Sequence, residues 1–388
     1  MICLAVAPSR IGSFDFLIPF LLELKEKKKS LKPVILFFDN KTFLELKKNI
    51  VLFEIIKTNF IYFNFSFISY LPFKKILKLI FLLPFGIYLF FKKKNILMVR
   101  VSIVSFTEKF LSYCNSFNGK TYTYISNNTY NDLFNRYFDK KGKSLKKNKD
   151  NVTLIENHVS GDGFLINSKK AIKFFTAKGY KNFKIVGFPH LYNSFQKFIK
   201  KNTKRLINEE LKINLKDYKN IETILVNKFW GRWSSKNSQW FYKRLDLLLN
   251  NLSKEKKNLI LIRTYPIFYE DLNNFLKKKN LKNIYITYAH PSSLSFVSKK
   301  VYAIAQSSVF INCLSFQVPY VEISNINKSQ RKMYPKGSLY PSYKIYIADN
   351  LTKLKKLILK KKLSYISKKE FINRIGHQNL KLKKDYIS

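Results

Sequence analysis

The sequence predicts an α/β protein of two doubly wound domains, and three observations carry that prediction. Short apolar runs alternate with amphipathic segments along most of the chain, the rhythm of strand–helix–strand units that build a parallel sheet. That rhythm starts again after a lysine-rich stretch near residue 200. At 388 residues the chain is long enough for two domains, each with its own core.

Taken in order, Ile2 to Ala7 is a buried first strand, Ser9 to Ser13 a turn, and Phe14 to Lys25 a helix. Pro33 to Phe38 is a second strand. Further strands are expected at Ile96 to Val101, Thr121 to Ile125, Thr153 to Ile155 and Phe183 to Val186, with helices at Thr107 to Tyr113 and Ser168 to Lys178. In the second half, strands are expected at Thr223 to Val226, Leu259 to Ile262, Ile284 to Thr287, Val301 to Ala305, Val318 to Ile323 and Ile345 to Ile347. Helices fall between them at Ser238 to Leu252, Asp271 to Lys278, Leu294 to Lys299 and Val309 to Phe316. A last helix is capped by Asn350 or Thr352. The expected organisation is a Rossmann-like domain over 1–195, a basic linker over 196–220, a second Rossmann-like domain over 221–362 and a basic tail over 363–388.

Composition narrows the function classes. An apolar share of 46% and an aromatic share of 16% exclude a disordered chain. The formal charge of +48 is mostly lysine and comes with abundant Asn, Ile, Phe and Tyr, the pattern expected of an A/T-rich genome. A dedicated nucleic-acid binder is therefore not expected, although such a surface favours phosphorylated substrates and anionic lipid head groups. Cys3, Cys114 and Cys313 are far apart in apolar segments, as free buried thiols would be. The start, MICLAVAPSRIG, lacks the basic and apolar regions of a signal peptide, so a cytoplasmic location is expected.

In doubly wound sheets, ligands bind beyond the carboxyl ends of the strands. Four loops there carry candidate chemistry. In Ala305-Gln306-Ser307-Ser308-Val309, a helix begins on hydroxyl residues and its N–H groups suit a phosphate, or else Ser308 only caps the helix. In Asn227-Lys228-Phe229-Trp230-Gly231-Arg232-Trp233, Gly231 permits close backbone approach while Lys228 and Arg232 can meet a diphosphate. Arg263-Thr264-Tyr265-Pro266 is the third. In the fourth, Tyr288-Ala289-His290-Pro291-Ser292-Ser293, His290 can bond a ribose or phosphate, and Ser292 caps the next helix.

These segments resemble the C-terminal half of GT-B-type glycosyltransferases that build bacterial surface polysaccharides, a fold shared with UDP-N-acetylglucosamine 2-epimerases. Those enzymes carry Arg-x-His-Pro after a strand, a Ser-Ser or Ser-Gly turn, and a Glu-Ala-…-Gly-x-Pro helix. Here stand Arg263-Thr-Tyr-Pro266, Ser307-Ser308, Cys313-Leu314 and Gln317-Val-Pro319. Val186-Gly187-Phe188-Pro189 is similar to the Val-Gly-x-Pro segment that closes their N-terminal half. Tyr265 and Cys313 depart from the pattern, Cys313 standing where a ribose-binding Glu often lies.

The resemblance implies two Rossmann-like domains facing a cleft, a GT-B-like arrangement. The first domain would take a glycan or lipid-linked glycan acceptor and the second a nucleotide-sugar held by Lys228, Gly231, Arg232, Arg263, His290, Ser307 and Ser308. It also implies a general base from the first domain. The leading candidates are Glu156, His158 and Asp162 in one loop, with Asp15 in reserve; Asp15 and Gly12 form an acceptor-side loop after the first strand. An epimerase of the same fold is the second expectation, and a non-catalytic basic protein the third. With no Asp-x-Asp and no helical His-x-x-x-His, no metal is expected, nor any cofactor beyond the nucleotide-sugar.

Ile76 to Phe91 breaks the alternation. It is almost wholly apolar, carries Pro84 and Gly86, and is bracketed by Lys74, Lys75 and Lys92 to Lys94. It falls short of the about 20 residues that span a bilayer. It reads either as a buried helix or as an interfacial segment resting at the inner face of the cell membrane.

Overall fold

A computed structural model describes residues 2–7, 11–91, 96–101, 106–117, 119–124, 162–167, 172, 176, 181–226, 235–264, 268–305, 309–324, 345–365, 367–369 and 371, with the backbone alone at 11, 96–101, 106–109 and 235–238. The chain divides into two units, with the main boundary between Gln196 and Lys197.

The first unit is built on seven parallel strands: β1 (Ile2–Val6), β2 (Lys32–Phe37), β3 (Ile61–Asn64), β4 (Ile96–Val101), β5 (Lys120–Tyr124), β6 (Gly163–Ile166) and β7 (Phe183–Ile185). Their order is β3-β2-β1-β4-β5-β6-β7. The central strands β1 and β2 read as near-continuous apolar runs because the sheet is covered on both faces there. On one face, α1 (Ile11–Lys27) sets Phe14 against Phe37 of β2 with ring centroids 5.9 Å apart. On the other, Leu4, Val6, Val34 and Leu36 meet Leu82 and Leu89 of a later helix. Side chains alternate between faces with the two-residue period of a strand. Helices α2 (Asn40–Lys48) and α3 (Ile50–Asn59) complete the approach to β3. Next come α4 (Lys74–Phe91), which carries Leu82 and Leu89, and α5 (Phe106–Ser116).

Sequence reasoning did not find β3, α2 or α3, and it placed a loop over Glu156 to Gly163 where a strand begins. Gly163 opens β6, and a Cβ there would lie 2.5 Å from the backbone oxygen of Asn182. The glycine marks a close strand–strand approach rather than a catalytic turn. The strand expected at Thr153 to Ile155 lies outside the described residues, as does most of the helix expected at Ser168 to Lys178.

Helix α6 (Asn193–Leu211) runs across the main boundary and leads to β8 (Asn220–Val226), α7 (Ser235–Leu252), β9 (Asn258–Arg263) and α8 (Tyr269–Lys279) of the second unit. Then follow β10 (Ile284–Thr287), α9 (Pro291–Val297), β11 (Lys300–Ile304), α10 (Phe310–Ser315), β12 (Tyr320–Ile323), β13 (Tyr346–Ala348) and α11 (Leu351–Leu359). The strands are parallel in the order β10-β9-β8-β11-β12-β13. Ile224, Ile262, Ile304 and Ile323 pack against Leu245, Leu248 and Leu249 of α7 and Leu354 of α11. Each such side chain stabilises the fold by roughly 1.5–3 kcal/mol on burial. Helix ends follow local chemistry. Asn280 ends α8 in the left-handed region (φ 45°), and the Asn350 side chain accepts from the Lys353 N–H at 2.8 Å to start α11.

Two expected boundaries need correction. The stretch read as a basic linker, 196–220, is helical through Leu211, because its lysines occupy the outward face of an amphipathic helix. The stretch read as a basic tail begins inside the second unit. Leu363 joins the apolar core, and Phe371 is buried with its ring 6.4 Å from that of Phe310.

Candidate functional site

Strand order locates the site. In the second sheet β8 and β11 are neighbours, yet the connection from β8 runs towards β9 and the one from β11 towards β12. Such a reversal leaves a crevice at the carboxyl ends of the two central strands. Ile304 of β11 pairs with Val226 of β8, so the segments 227–234 and 306–308 depart from adjoining strand ends. Lys228, Gly231, Arg232, Ser307 and Ser308 belong to those segments and lie outside the described residues, as does Tyr265. Ala305, the last described residue before the Ser307-Ser308 turn, holds φ 71°, a left-handed conformation that an alanine adopts only at a cost.

Arg263 closes β9, the strand next to β8, and is half-buried. Its Nε donates to the Ala289 carbonyl at 3.1 Å. Nη1 and Nη2 make no hydrogen bond among the described residues. The guanidinium is thereby fixed by one edge.

His290 follows immediately, but its role differs from the expected one. The imidazole is fully buried, and its Nδ1 accepts from the Ser292 N–H at 3.0 Å, which caps α9. Ser292, expected as the cap, instead donates from Oγ to Asn312 Oδ1 at 2.6 Å. The Nδ1 side of the ring is thereby committed to the helix start. His290 therefore shapes the loop that holds Arg263.

The residue that sequence reasoning missed is Glu210, near the end of α6. Its carboxylate accepts from the Thr287 hydroxyl at 2.6 Å and from the Tyr288 N–H at 2.8 Å, and so clamps the start of the Tyr288–His290 loop. Burial pushes its pKa up, opposed by those two hydrogen bonds. The signal was one acidic pair, Glu209-Glu210, in an otherwise basic helix, where Glu209 spends itself on Arg205 at 2.9 Å.

Cys313 is buried in α10 with Sγ 3.4 Å from Ser295 Oγ. Burial raises its thiol to about 12, which makes it an inert packing group. Gln317, where the resembling enzymes carry Gly, holds φ 56°. It ends α10 with the Val318 N–H on the Cys313 carbonyl (2.9 Å) and the Gln317 N–H on Leu314 (3.3 Å). That is the double hydrogen bond for which glycine is best suited.

In the first unit, Gly12 and Asp15 lie in the first turns of α1, directly beyond the carboxyl end of β1. Gly12 is exposed and Asp15 half-buried. Asp162 lies at the opposite edge. Its N–H donates to the Thr121 carbonyl at 2.8 Å, and its Oδ2 accepts from the Thr121 N–H at 2.6 Å. Thr121 sits at the amino end of β5, so Asp162 staples the amino edge of the sheet and is removed from the list of candidate bases. Glu156 and His158 lie outside the described residues. Val186-Gly187 and Pro189-His190 form the tight exit from β7, with Gly187 at φ 77° and the His190 ring edge-on to Phe16 at 4.9 Å.

No protein-family profile matches the chain, and no curated protein sequence does. Solved structures do. UDP-GlcNAc 2-epimerase from Neisseria meningitidis bound to UDP-GlcNAc is 9% identical, with 92% of this chain and 90% of that one covered at a TM-score of 0.54. The Methanocaldococcus jannaschii UDP-GlcNAc 2-epimerase is 14% identical, with 96% and 98% covered at a TM-score of 0.52. The same enzyme with UDP-GlcNAc and UDP gives 13% identity, 97% and 98% covered, and 0.52. Likeness at this identity is likeness of fold: the chain is an α/β protein of two Rossmann-like domains with parallel sheets, GT-B-like in architecture.

Proposed function

We propose that the protein uses a nucleotide-sugar and transfers its glycosyl group to a glycan or lipid-linked glycan acceptor. The observation that carries this reading is the adjacency of β8 and β11 at the reversal of the second sheet, from which the Lys228–Arg232 and Ser307–Ser308 segments both start, with Arg263 one strand away. Lys228, Arg232 and Arg263 would neutralise the diphosphate, and the N–H groups around Ser307 and Ser308 would receive its oxygens.

In the transfer step a first-domain base takes the proton of the acceptor hydroxyl. The acceptor oxygen bonds to the anomeric carbon, and the bond from that carbon to the diphosphate oxygen breaks. With Asp162 removed, the candidates are Glu156, His158 and Asp15. Asp15 has the support of lying at the carboxyl edge of its sheet.

A second reading, a sugar-nucleotide 2-epimerase, is favoured by the fold it shares with the epimerases of N. meningitidis and M. jannaschii. One series separates the two. Thermal shift against UDP-, GDP-, CDP- and TDP-sugars, with phosphate and RNA as controls, identifies the nucleotide, since a ligand of the native state raises the melting temperature. The stabilised nucleotide-sugar is then incubated alone and followed by NMR. Appearance of the 2-epimer without acceptor establishes the second reading and ends the first. No shift with any nucleotide ends both.

A further inference from the structure

Helix α4 is apolar on two sides, and only one of them is covered. Leu82, Gly86 and Leu89 are buried, and a Cβ on Gly86 would come 2.9 Å from the Phe110 ring of α5, so that side is closely seated. The opposite side carries Ile76, Ile80, Leu83, Ile87 and Phe90, spaced four, three, four and three apart and therefore in line along one face. Ile76 is 58% exposed, Ile80 53%, Ile87 55% and Phe91 at the helix end 72%. A helix apolar all round belongs in a core, and half of this one faces solvent. Phe73 ahead of it, Tyr113 of α5 and Phe117 just after that helix extend the patch with exposed aromatic rings.

Charge identifies what covers it. No Asp or Glu occurs from residue 55 to 107, while Lys57, Lys74, Lys75, Lys78 and Lys92 to Lys94 do. Lys74 and Lys75 stand exposed at the start of α4. A second copy would bring these lysines against one another on a chain of formal charge +48. An apolar face with aromatic rings, lysine flanks and no carboxylate fits the head-group layer of an anionic bilayer, where side chains enter the acyl boundary and ammonium groups meet lipid phosphate. Among the described residues no helix is long and apolar enough to cross a membrane.

We infer that the outward face of α4, with the aromatic residues beside it, docks the protein monotopically on an anionic lipid bilayer. This inference stands apart from the nucleotide-sugar reading and survives its failure. The test is flotation of the full chain with phosphatidylcholine vesicles, with and without phosphatidylglycerol, at about 0.15 M and about 0.5 M salt. The comparison is with the double variant Ile80→Ser/Ile87→Ser, whose sites are exposed and whose melting temperature is measured alongside. Expected are binding to anionic vesicles that persists at the higher salt, and partitioning at least about tenfold weaker in the variant. A Phe91→Trp probe should shift its emission to the blue on those vesicles. No vesicle binding, or binding that salt abolishes and the variant leaves unchanged, overturns the inference. So does a dimer in sedimentation that the double variant dissolves.

Discussion

Glu210 on α6 and Thr287 at the end of β10 are joined by a 2.6 Å hydrogen bond across 77 residues of sequence, with the Thr287 hydroxyl donating to the carboxylate. Through it, and through the Tyr288 N–H on the other oxygen, a helix mostly covered in lysine fixes the loop against which Arg263 rests. Glu210→Ala should lower the stability of the second unit by about 2–3 kcal/mol, because two charge-assisted bonds are lost and a partly buried N–H is stranded. Glu210→Gln keeps an acceptor and should cost less. Urea melts of the two variants check the order, and equal losses would argue against the clamp.

Arg263→Lys keeps the charge but loses both the Nε bond to Ala289 and the planar fork. Under the proposed function it should weaken nucleotide binding about tenfold, or ~1.4 kcal/mol, with a modest fall in the melting temperature of the unliganded protein from the lost Ala289 bond. Calorimetric titration reads this directly, and unchanged affinity would move the diphosphate site away from β9.

Gln317→Gly should stabilise the protein by roughly 0.5–1 kcal/mol. The site is exposed and left-handed, so the side chain contributes strain and little packing. A fall in stability instead would mean that the side chain makes a contact of its own.

Glu222, buried in β8, has its carboxyl pushed up to about 7 by burial, with Lys300 and Lys299 opposing and Glu255 assisting. The folded value exceeds the ordinary 4.5, so between those pH values the native state holds a proton that the unfolded chain has released. Its contribution to stability is complete below about 4.5 and is lost as pH rises through about 7. Unfolding free energies at about pH 5 and pH 8 should therefore differ more in the parent than in Glu222→Gln, by on the order of 2 kcal/mol. A variant with the same pH slope as the parent would refute the assignment.

What the sequence could disclose was local. The strand and helix series from Thr223 to Leu359 and the cap at Asn350 follow from two- and 3.6-residue periods and from single side chains beside their own backbone. The apolar character of residues 76–91 was visible for the same reason. The two-domain α/β class follows from the repetition of those periods.

Tertiary structure decided the rest, because strand order and the two edges of a sheet join residues far apart in the chain. Only the pairing of β5 with β6 shows that Asp162 is at the amino edge and cannot reach the carboxyl-end loops. Only the meeting of α6 with β10 makes Glu210 a positioning residue. His290 is a helix cap because α9 begins on it inside the core. Which side of α4 stays bare depends on where α5 packs, and no period in residues 74–91 could tell the covered side from the exposed one.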